Sequence, residues 1–572
     1  MTRSKDILLL LACWLCSAWL AIPAGATTTA EEMNIDAKTW ASSVVLGWNL
    51  GNSLESKGND ETAWGNPMTT REMIKAVKAQ GFNCVRIPVQ WGCHLTDQKT
   101  MTIDSKWMNR VEEVVNYCLD EKMKVIINTH HEVWLEQHPF YAQQKENNEK
   151  LAALWKQIAA RFKDYGPDLA FAGINETQVN WQAPTPEQAD VVNSYNQTFI
   201  NTVRATGGNN AERVLIVQTY SCNPERVLIV QTYSCNPDYG FQYFVIPNDP
   251  AKDRLCVEFH YYNPYNYCGG KEGSYYYWGQ AFKDKGKISP DDESQLTKTF
   301  DKAKTLWADK GLGVIVGELG VSVHFTTDDR TTQLDNEKYY LQQVVKETRS
   351  RGFAPIVWDN NTFGNGSEMY GIFNRNNHMS VDAPWLLQGL QLGAGLEPYK
   401  EKTETGVFWE GDALLNWGEG LQLKIPANKF NSFTTKGRLM LTIEQVPSAD
   451  YEQLQLMYGD WSGKVNFKID GKNYKGSYDP KAAQGTNDGT YSLSLSFDAA
   501  TLAKLQTKGL VVQGYGIRLK NVIIMPQGMT TAIFYLAMTD NGPQRCYDLT
   551  GRSVPDSFRG LVIKDRQLCL AR

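Results

Sequence analysis

The sequence lacks the excess of basic charge that is typical of proteins that bind nucleic acids. Lys and Arg number 58 against 63 Asp and Glu, so the formal net charge is −5 at pH 7. Affinity for a phosphate backbone comes largely from the Lys and Arg side chains that neutralise it. We therefore expect no nucleic-acid partner.

Metal-binding patterns are absent as well. The chain has seven His, and after residue 26 its cysteines show no CxxC spacing and no regular repeat. Cys84, Cys118 and Cys256 lie in apolar strand-like or helix-like patterns, which favours buried thiols over ligands. We expect neither a metal nor a cofactor.

A long apolar segment occurs at the N-terminus. Arg3 and Lys5 precede it, it runs from Ile7 to about Ile22, and the small residues 24–26 follow. This pattern is typical of a cleaved signal peptide, here residues 1–26, and predicts a secreted or cell-surface protein. A lipid anchor on Cys13 is the alternative, because the preceding Leu-Leu-Ala resembles a lipoprotein box.

Short apolar stretches recur along the next part of the chain, and each ends on a polar or aromatic side chain. Stretches of about four apolar residues are typical of buried parallel strands. The residues at their ends are Arg86, His130, His131, Asn175, Glu176, His260, Tyr262, Glu318 and Trp358.

Such a succession predicts a barrel of alternating strands and helices, in which the C-terminal ends of all strands face one site. Glu176 and Glu318 would then face each other despite their separation in the sequence. Two carboxylates in different environments are the minimal equipment for breaking a glycosidic bond. Arg86 is well placed to orient one of them, and Asn175 can bond a sugar hydroxyl.

The motif Gly47-Trp-Asn-Leu-Gly-Asn-Ser-Leu54, followed by Glu61-Thr-Ala-Trp-Gly-Asn-Pro67, resembles glycoside hydrolase family 5. In particular it is similar to the branch with retaining endoglucanases and xyloglucanases, built on a (β/α)8 (TIM) barrel. The resemblance implies that Glu318 is the nucleophile and Glu176 the acid/base of a double displacement. The supporting or substrate-binding residues that we expect are Asn52, Arg86, His130, His131, Asn175, His260, Tyr262 and Trp358.

The predicted function is that of a monomeric, secreted endo-β-1,4-glycanase that hydrolyses cellulose-type or mixed-linkage β-glucan, a β-linked polysaccharide. A xyloglucanase or mannanase of the same family is the alternative within the enzyme class. A catalytically idle glycan-binding protein is the alternative from another class. The presence of both carboxylates favours an active enzyme.

The loop after His260 is rich in aromatic residues. It comprises residues 263–270 and Tyr275-Tyr-Tyr-Trp278, and it is polar and Gly-rich. We expect its rings to line a cleft where sugars stack.

The sequence changes character after the barrel, which we assign to residues 34–395. A linker is expected at 396–406, and alternation of apolar and polar residues over 407–526 predicts a jelly-roll-like β-sandwich. Its aromatic residues make a carbohydrate-binding module one interpretation and a merely stabilising sandwich the other. These residues are Trp409, Trp417, Tyr458, Trp461 and Tyr515.

Residues 527–572 form a small β tail in this prediction. The tail resembles the C-terminal sorting segments of the bacterial type IX secretion route. An accessory hairpin that packs on the sandwich is the alternative.

The segment Glu212–Pro224 is repeated without change as residues 225–237. Only one copy can form the fifth barrel strand, because an additional strand would change the shear and closure of the barrel. We expect the second copy to form it, since the loop that follows then keeps its length.

Overall fold

The computed structural model describes residues 33–526 except 181, 221–236, 272, 327, 378, 401–405, 419, 431–432, 447 and 485–489, together with the strands of the C-terminal tail. The predicted signal peptide lies outside the described residues. The chain divides into two units, Met1–Tyr399 and Lys400–Arg572. Each unit has hydrophobic cores of its own. Within the described part of the chain, no helix is both long and apolar enough to cross a membrane.

Eight parallel strands close into a barrel in unit 1, as predicted. They are β1 (Gly47–Leu50), β2 (Cys84–Ile87), β3 (Lys124–Asn128), β4 (Leu169–Ala172), β5 (Leu215–Gln218), β6 (Leu255–Tyr261), β7 (Gly313–Leu319) and β8 (Ala354–Asp359). Each strand pairs with its neighbours in the chain, and β8 closes the barrel against β1. All C-terminal strand ends therefore lie at one rim.

Helices connect these strands, and several begin at a polar cap. Thr185, for example, accepts from the backbone N–H of Gln188 while the Gln188 side chain bonds back to Thr185, and Pro186 occupies the first turn. The α-helices of unit 1 are Ala37–Ser42, Arg71–Ala79, Ser105–Asp120, Val133–Glu136, Tyr141–Arg161, Pro186–Ala205, Pro237–Tyr243, Tyr265–Cys268, Glu293–Leu306, Arg330–Ser350 and Pro384–Gly393. Two small hairpins, Leu95–Asp97 with Thr102–Ile103 and Phe373–Asn374 with Ser380–Val381, complete the unit.

The barrel interior is built in layers. Near the N-terminal strand ends, apolar side chains pack with Trp40 of the first helix; among them are Cys84, Ile126, Ala170, Ile216, Cys256, Ile315 and Ile356. Side chains of a strand alternate between its two faces, so the residues two positions further on also point inward. On β2 and β6 these are Arg86 and Glu258, both fully buried. The apolar layer thus supports a polar layer directly beneath the rim formed by the C-terminal strand ends.

The predicted buried thiols are confirmed. Cys84, Cys118 and Cys256 are free and buried. Burial raises the pKa of each thiol far above its ordinary value.

The first copy of the repeat forms the fifth strand, so our expectation for the second copy was wrong. β5 pairs with β4 and β6 through Leu215 and Ile216. Arg213, just before β5, donates to Asn210 Oδ1 at 2.7 Å and to the backbone carbonyls of Phe162 and Leu169. Asn210 lies upstream of the repeat, so only the first copy keeps this contact local and the connection short.

Unit 2 is an antiparallel β domain in which one long strand, β17 (Leu510–Met525), pairs with four others. The remaining strands are β9 (Gly406–Asn416), β10 (Leu423–Ile425), β11 (Arg438–Gln445), β12 (Gln453–Tyr458), β13 (Phe467–Ile469), β14 (Lys472–Tyr474), β15 (Ser477–Tyr478) and β16 (Thr490–Ser496). β9 and β10 flank one edge of β17, and β11 and β12 flank the other. Its α-helices are Pro480–Gln484 and Ala499–Lys508.

Alternate residues of β17 face the core of unit 2, among them Leu510, Val512, Ile517 and Leu519. In the tail, β18 (Cys546–Asp548), β19 (Ser553–Val554), β20 (Gly560–Lys564) and β21 (Gln567–Ala571) form a separate antiparallel sheet in the order β19-β18-β20-β21.

Deleting residues 225–237 is expected to stabilise the protein and to leave its activity intact. In the deletion variant the identical Pro224 takes the place of Pro237 at the start of the helix. The connection from Tyr220 to that helix is then thirteen residues shorter, which stabilises by about 1.5 kcal/mol through loop-closure entropy. Thermal unfolding and initial rates measure both effects. A variant with a Gly/Ser segment of equal length in place of 225–237 is the control and should show no gain. A lower melting temperature after deletion would show that the second copy has a structural role.

Candidate active site

A single guanidinium organises the polar layer at the barrel rim. Arg86 Nη1 donates to Asn49 Oδ1 and to Glu318 Oε1, both at 3.0 Å, and Nη2 donates to Asn175 Oδ1 at 2.8 Å. Its Nε lies 3.0 Å from Glu258 Oε1. Arg86 thereby holds side chains from four other strand segments, including one of the two predicted catalytic carboxylates.

Glu258 is a site residue that sequence reasoning missed. Besides Arg86 it contacts His260, whose Nε2 lies 3.3 Å from Glu258 Oε1. Burial opposes ionisation of Glu258, but the positive charge of Arg86 and the hydrogen bond with His260 outweigh it and keep its pKa below the ordinary value. A Cβ on Gly317 would come 1.8 Å from the Glu258 carboxylate, so glycine is required there. An acidic residue within an otherwise apolar strand was the available clue.

His260 links the two predicted catalytic carboxylates. Its Nδ1 lies 2.7 Å from Glu176 Oε1 and 3.6 Å from Glu318 Oε2. One atom of each of the three side chains lies within 4.8 Å of the other two. By distance alone the trio could hold a metal ion, but the adjacent Arg86 charge disfavours a cation. The arrangement suits acid–base and nucleophilic chemistry.

Glu318 is held by donors on both of its oxygens. Arg86 occupies Oε1, and the Tyr262 hydroxyl donates to Oε2 at 3.1 Å. Burial raises the pKa of Glu318, and the positive charges on His260 and Arg86 oppose that rise. Burial and the negative charge of Glu318 raise the pKa of Tyr262 well above its ordinary value, so Tyr262 remains a donor.

Two neutral histidines and a tryptophan form the adjoining wall. His130 Nε2 lies 3.2 Å from Asn175 Nδ2, and its ring stacks on Trp358 at 6.1 Å between centroids. Burial lowers the pKa of His130 well below its ordinary value and that of His131 to about 4. Both rings are therefore uncharged at neutral pH, and the indole of Trp358 presents a flat apolar face.

Asn52 is positioned by a strained turn. Its φ of 56° is left-handed, a conformation that Asn tolerates better than most residues. The Glu55 carboxylate accepts from the backbone N–H groups of Asn52 and Ser53 and fixes this turn. Burial raises the pKa of Glu55 to about 7.

These side chains surround an open cleft with an empty volume of about 730 Å³. Seven of the predicted site residues line it, and Arg86, Asn175 and His260 lie beneath. The lining consists of Asn52, Trp64, His130, His131, Glu176, Tyr262, Tyr265, Glu318, Trp358, Glu368 and Tyr370. Every predicted site residue is thus in or directly below the cleft, whereas Trp64, Glu368 and Tyr370 were not predicted.

The loop after β6 contributes less to the cleft than we expected. Tyr265 lines it, but Tyr267, Tyr277 and Trp278 are buried in the unit 1 structure. The Trp278 backbone N–H and carbonyl both bond to Asn336, which fixes this part of the loop against a helix. The expectation that these rings stack on sugars was wrong for the buried three.

Comparison with known proteins agrees with this geometry. Residues 49–364 match the model for cellulase (glycosyl hydrolase family 5), which is more than half of the chain. The chain belongs to glycoside hydrolase family 5. The family match ends before unit 2 begins, and it spans the barrel strands that carry both carboxylates.

Relatives in this family are hydrolases of β-glycans by name. Endoglucanase B of Clostridium cellulovorans is 38% identical over 359 residues, 61% of this chain and 74% of that protein. The cellulase/esterase CelE of Acetivibrio thermocellus is 37% identical over 379 residues, 65% of this chain but 42% of that protein. A solved Bacteroides ovatus family 5 xyloglucanase, in complex with a XXXG heptasaccharide, has a TM-score of 0.57 at 33% identity and covers 64% of this chain and 77% of that one.

Replacing Tyr262 by Phe is expected to raise the pKa of Glu318. The change removes a donor to the ionised carboxylate, and a hydrogen bond to a charged group contributes about 1.5–3 kcal/mol, or roughly 1 to 2 pH units. The acid limb of kcat/KM, which reports groups that must be ionised in the free enzyme, should move to higher pH by that amount.

Tyr370→Phe is the matched control for this change. The Tyr370 hydroxyl lies in the same cleft but bonds to the carbonyl of Cys268 at 3.2 Å. The acid limb of the kcat/KM profile of Tyr370→Phe should therefore stay at the same pH as in the wild type. Equal shifts in the two variants would contradict a specific link between Tyr262 and Glu318.

Proposed function

We propose that this protein is a retaining endo-β-1,4-glucanase that hydrolyses cellulose-type or mixed-linkage β-glucan. Glu318 acts as the nucleophile and Glu176 as the acid/base. The observation that carries the proposal is that oxygens of the two carboxyl groups approach within 4.8 Å. Retaining glycosidases separate their carboxyl groups by about 5–5.5 Å, and inverting ones by about 6.5–9.5 Å.

In the first step Glu318 attacks the anomeric carbon of the bound glycan. Arg86 and Tyr262 hold the ionised carboxylate in place for this attack. Glu176 gives its proton to the glycosidic oxygen as the bond to the anomeric carbon breaks. The products are a glycosyl ester on Glu318 and a free sugar hydroxyl on the departing chain.

In the second step Glu176, now a carboxylate, takes a proton from water. The resulting nucleophile attacks the anomeric carbon and releases Glu318 with its charge restored. His260 bonds to Glu176 at 2.7 Å and so fixes its orientation through both steps.

Substrate contacts follow from the cleft wall. Trp358 offers its apolar face to a pyranose ring, and Asn175, fixed by Arg86 and His130, lies beside the reacting carbon to meet a hydroxyl. The cleft is open, which suits attack within a long chain rather than at its end.

Xyloglucan is the second candidate substrate. A Bacteroides ovatus relative named as a xyloglucan-specific endo-β-1,4-glucanase is 35% identical over 328 residues, 55% of this chain and 62% of that protein. The open cleft has room for a branched chain. A mannan substrate has no specific support in the cleft.

Export and polysaccharide retention complete the proposal. The N-terminal segment 1–26 supports a secreted or cell-surface enzyme, and the tail supports passage through a sorting-dependent route. We propose that the enzyme is a monomer. Unit 2 would bind insoluble polysaccharide and keep the catalytic unit near its substrate. The support for this binding is the aromatic content of 407–526.

Replacing Glu318 by Gln is expected to lower kcat on soluble β-glucan by at least about 10⁴-fold, because an amide cannot form the glycosyl ester. Reducing-sugar release measures this, with thermal unfolding as the check on folding. Glu149→Gln, the same change at an exposed site, should retain full activity. Near-normal turnover in Glu318→Gln would exclude Glu318 as the nucleophile.

Replacing Glu176 by Ala should lower the rate of hydrolysis by a factor that depends on the leaving group of the substrate. Hydrolysis of β-glucan should fall by roughly 10²–10⁴-fold, because general acid catalysis contributes that much. Cleavage of a dinitrophenyl β-cellobioside should fall far less in its first step, since that leaving group needs no proton. Added azide should restore turnover and yield a β-glycosyl azide. Equal losses on both substrates would remove Glu176 from the acid role.

A further inference from the structure

Three aromatic side chains form a surface cluster on unit 2. The rings of Tyr451 and Tyr515 stack with centroids 4.4 Å apart and an interplanar angle of 14°. Trp417 Nε1 donates to the Tyr451 hydroxyl at 2.9 Å. Tyr451 is 47% exposed although it is a large apolar ring. We call these three residues the aromatic platform.

The backbone beneath the platform is fixed in unusual conformations. Trp417 has a φ of 45°, which is rare for a bulky residue, and its N–H donates to the Gly514 carbonyl at 2.8 Å. Gly516 has a φ of 67°, and a Cβ there would come 2.3 Å from the Tyr451 carbonyl oxygen. Strained positions of this kind persist only where the surroundings hold them, and they occur often at binding sites.

A row of uncharged polar side chains adjoins the platform. Gln422 Nε2 donates to Gln513 Oε1 at 3.4 Å, Gln513 Nε2 to Gln455 Oε1 at 2.8 Å, and Gln455 Nε2 to Ser477 Oγ at 3.4 Å. The row crosses from Gln422, directly before β10, over β17 and β12 to β15. With adjacent strands about 4.8 Å apart, it extends over roughly 14 Å. We call it the amide row.

The platform and the amide row share one face of the sheet. Val512 points into the core of unit 2, so Gln513 and Tyr515 point to the opposite side. Cross-strand register places Gln455 beside Gln513 and the neighbouring Gln453 beside Tyr515. Stacked rings and amide groups therefore lie next to each other on the face of the sheet that points away from the core. Gln513 itself is 7% exposed, and Gln422, Gln455 and Ser477 are half-buried.

We propose that the aromatic platform and the amide row are a binding site for a β-1,4-linked glucan chain. A pyranose ring has apolar C–H faces that stack on aromatic rings and hydroxyls that bond to amides. None of the seven side chains carries a charge, which fits a neutral glycan rather than an anionic one. The choice of glucan as the ligand rests on the proposed function of unit 1.

The other aromatic residues of unit 2 do not belong to this site. Trp409 and Tyr458 are buried in the core. Trp461 is 42% exposed, but it lies in the turn after β12, next to Ser462, whose hydroxyl accepts from Lys508 Nζ at 2.7 Å. Trp461 is therefore a matched control, an exposed tryptophan of the same unit outside the proposed surface.

The test measures binding and catalysis separately in the full chain. Tyr451→Ala and Trp417→Ala should each weaken retention on insoluble cellulose and retardation in gels containing hydroxyethylcellulose by at least about tenfold. Gln513→Leu, which leaves the rings intact, should weaken both by a smaller factor. Trp461→Ala should match the wild type within about twofold, and kcat/KM on cellohexaose should stay unchanged in all four variants.

Two outcomes would overturn the inference. One is retention of Tyr451→Ala and Trp417→Ala equal to that of Trp461→Ala, provided that their melting temperatures match the wild type. Tyr451→Leu, which removes the aromatic ring but keeps an apolar side chain, replaces either variant if that variant does not fold. The other is that the platform variants lose binding to polygalacturonate rather than to cellulose. A different result would contradict the proposed function of unit 1: the wild type would then fail to hydrolyse soluble β-glucan.

Discussion

The buried charge of Arg86 is the constraint on which the catalytic rim depends. A guanidinium enclosed in a barrel has to be matched by acceptors and opposite charge, because an unpaired buried charge costs several kcal/mol. Its planar fork takes Asn49, Asn175, Glu258 and Glu318 as partners in fixed directions. The same contacts that satisfy Arg86 therefore hold side chains from the ends of different strands at fixed positions relative to one another.

Much of this site could be predicted from sequence. In a closed barrel, a polar residue at the C-terminal end of an apolar strand lies at the rim where the ends of all strands meet. Glu176 and Glu318 follow from that rule, as do Arg86 and His260. Glu258 did not, since it lies inside its strand and its role depends on the glycine that faces it across the next strand. The copy of the repeat that forms β5 also escaped prediction, because two identical segments have identical propensities and differ only in tertiary contacts.

The aromatic content of unit 2 does not reveal which of its rings lie on the surface and which lie in the core. Five aromatic residues suggested a binding module, yet Trp409 and Tyr458 pack in the core. Trp461 lies in a turn outside the aromatic platform, and only Trp417 and Tyr515 belong to it. The sequence pattern does not single out Tyr451, because this residue precedes a strand rather than lying within one. Gly516, with a φ of 67°, has no Cβ and so lets the Tyr451 carbonyl approach closely beside Tyr515. That approach depends on how distant segments pair rather than on local preference.

The repeated segment has a consequence for how this barrel can change over time. β5 completes its pairing with β4 and β6 before the second copy begins, so thirteen added residues alter no strand register. The insertion point follows the C-terminal end of β5, and barrel enzymes diversify the loops that follow these strand ends. A duplication in phase with the chain thus leaves the strand pairing of the barrel intact and costs only the closure of a longer loop. It supplies additional residues from which a new substrate-facing loop can be selected.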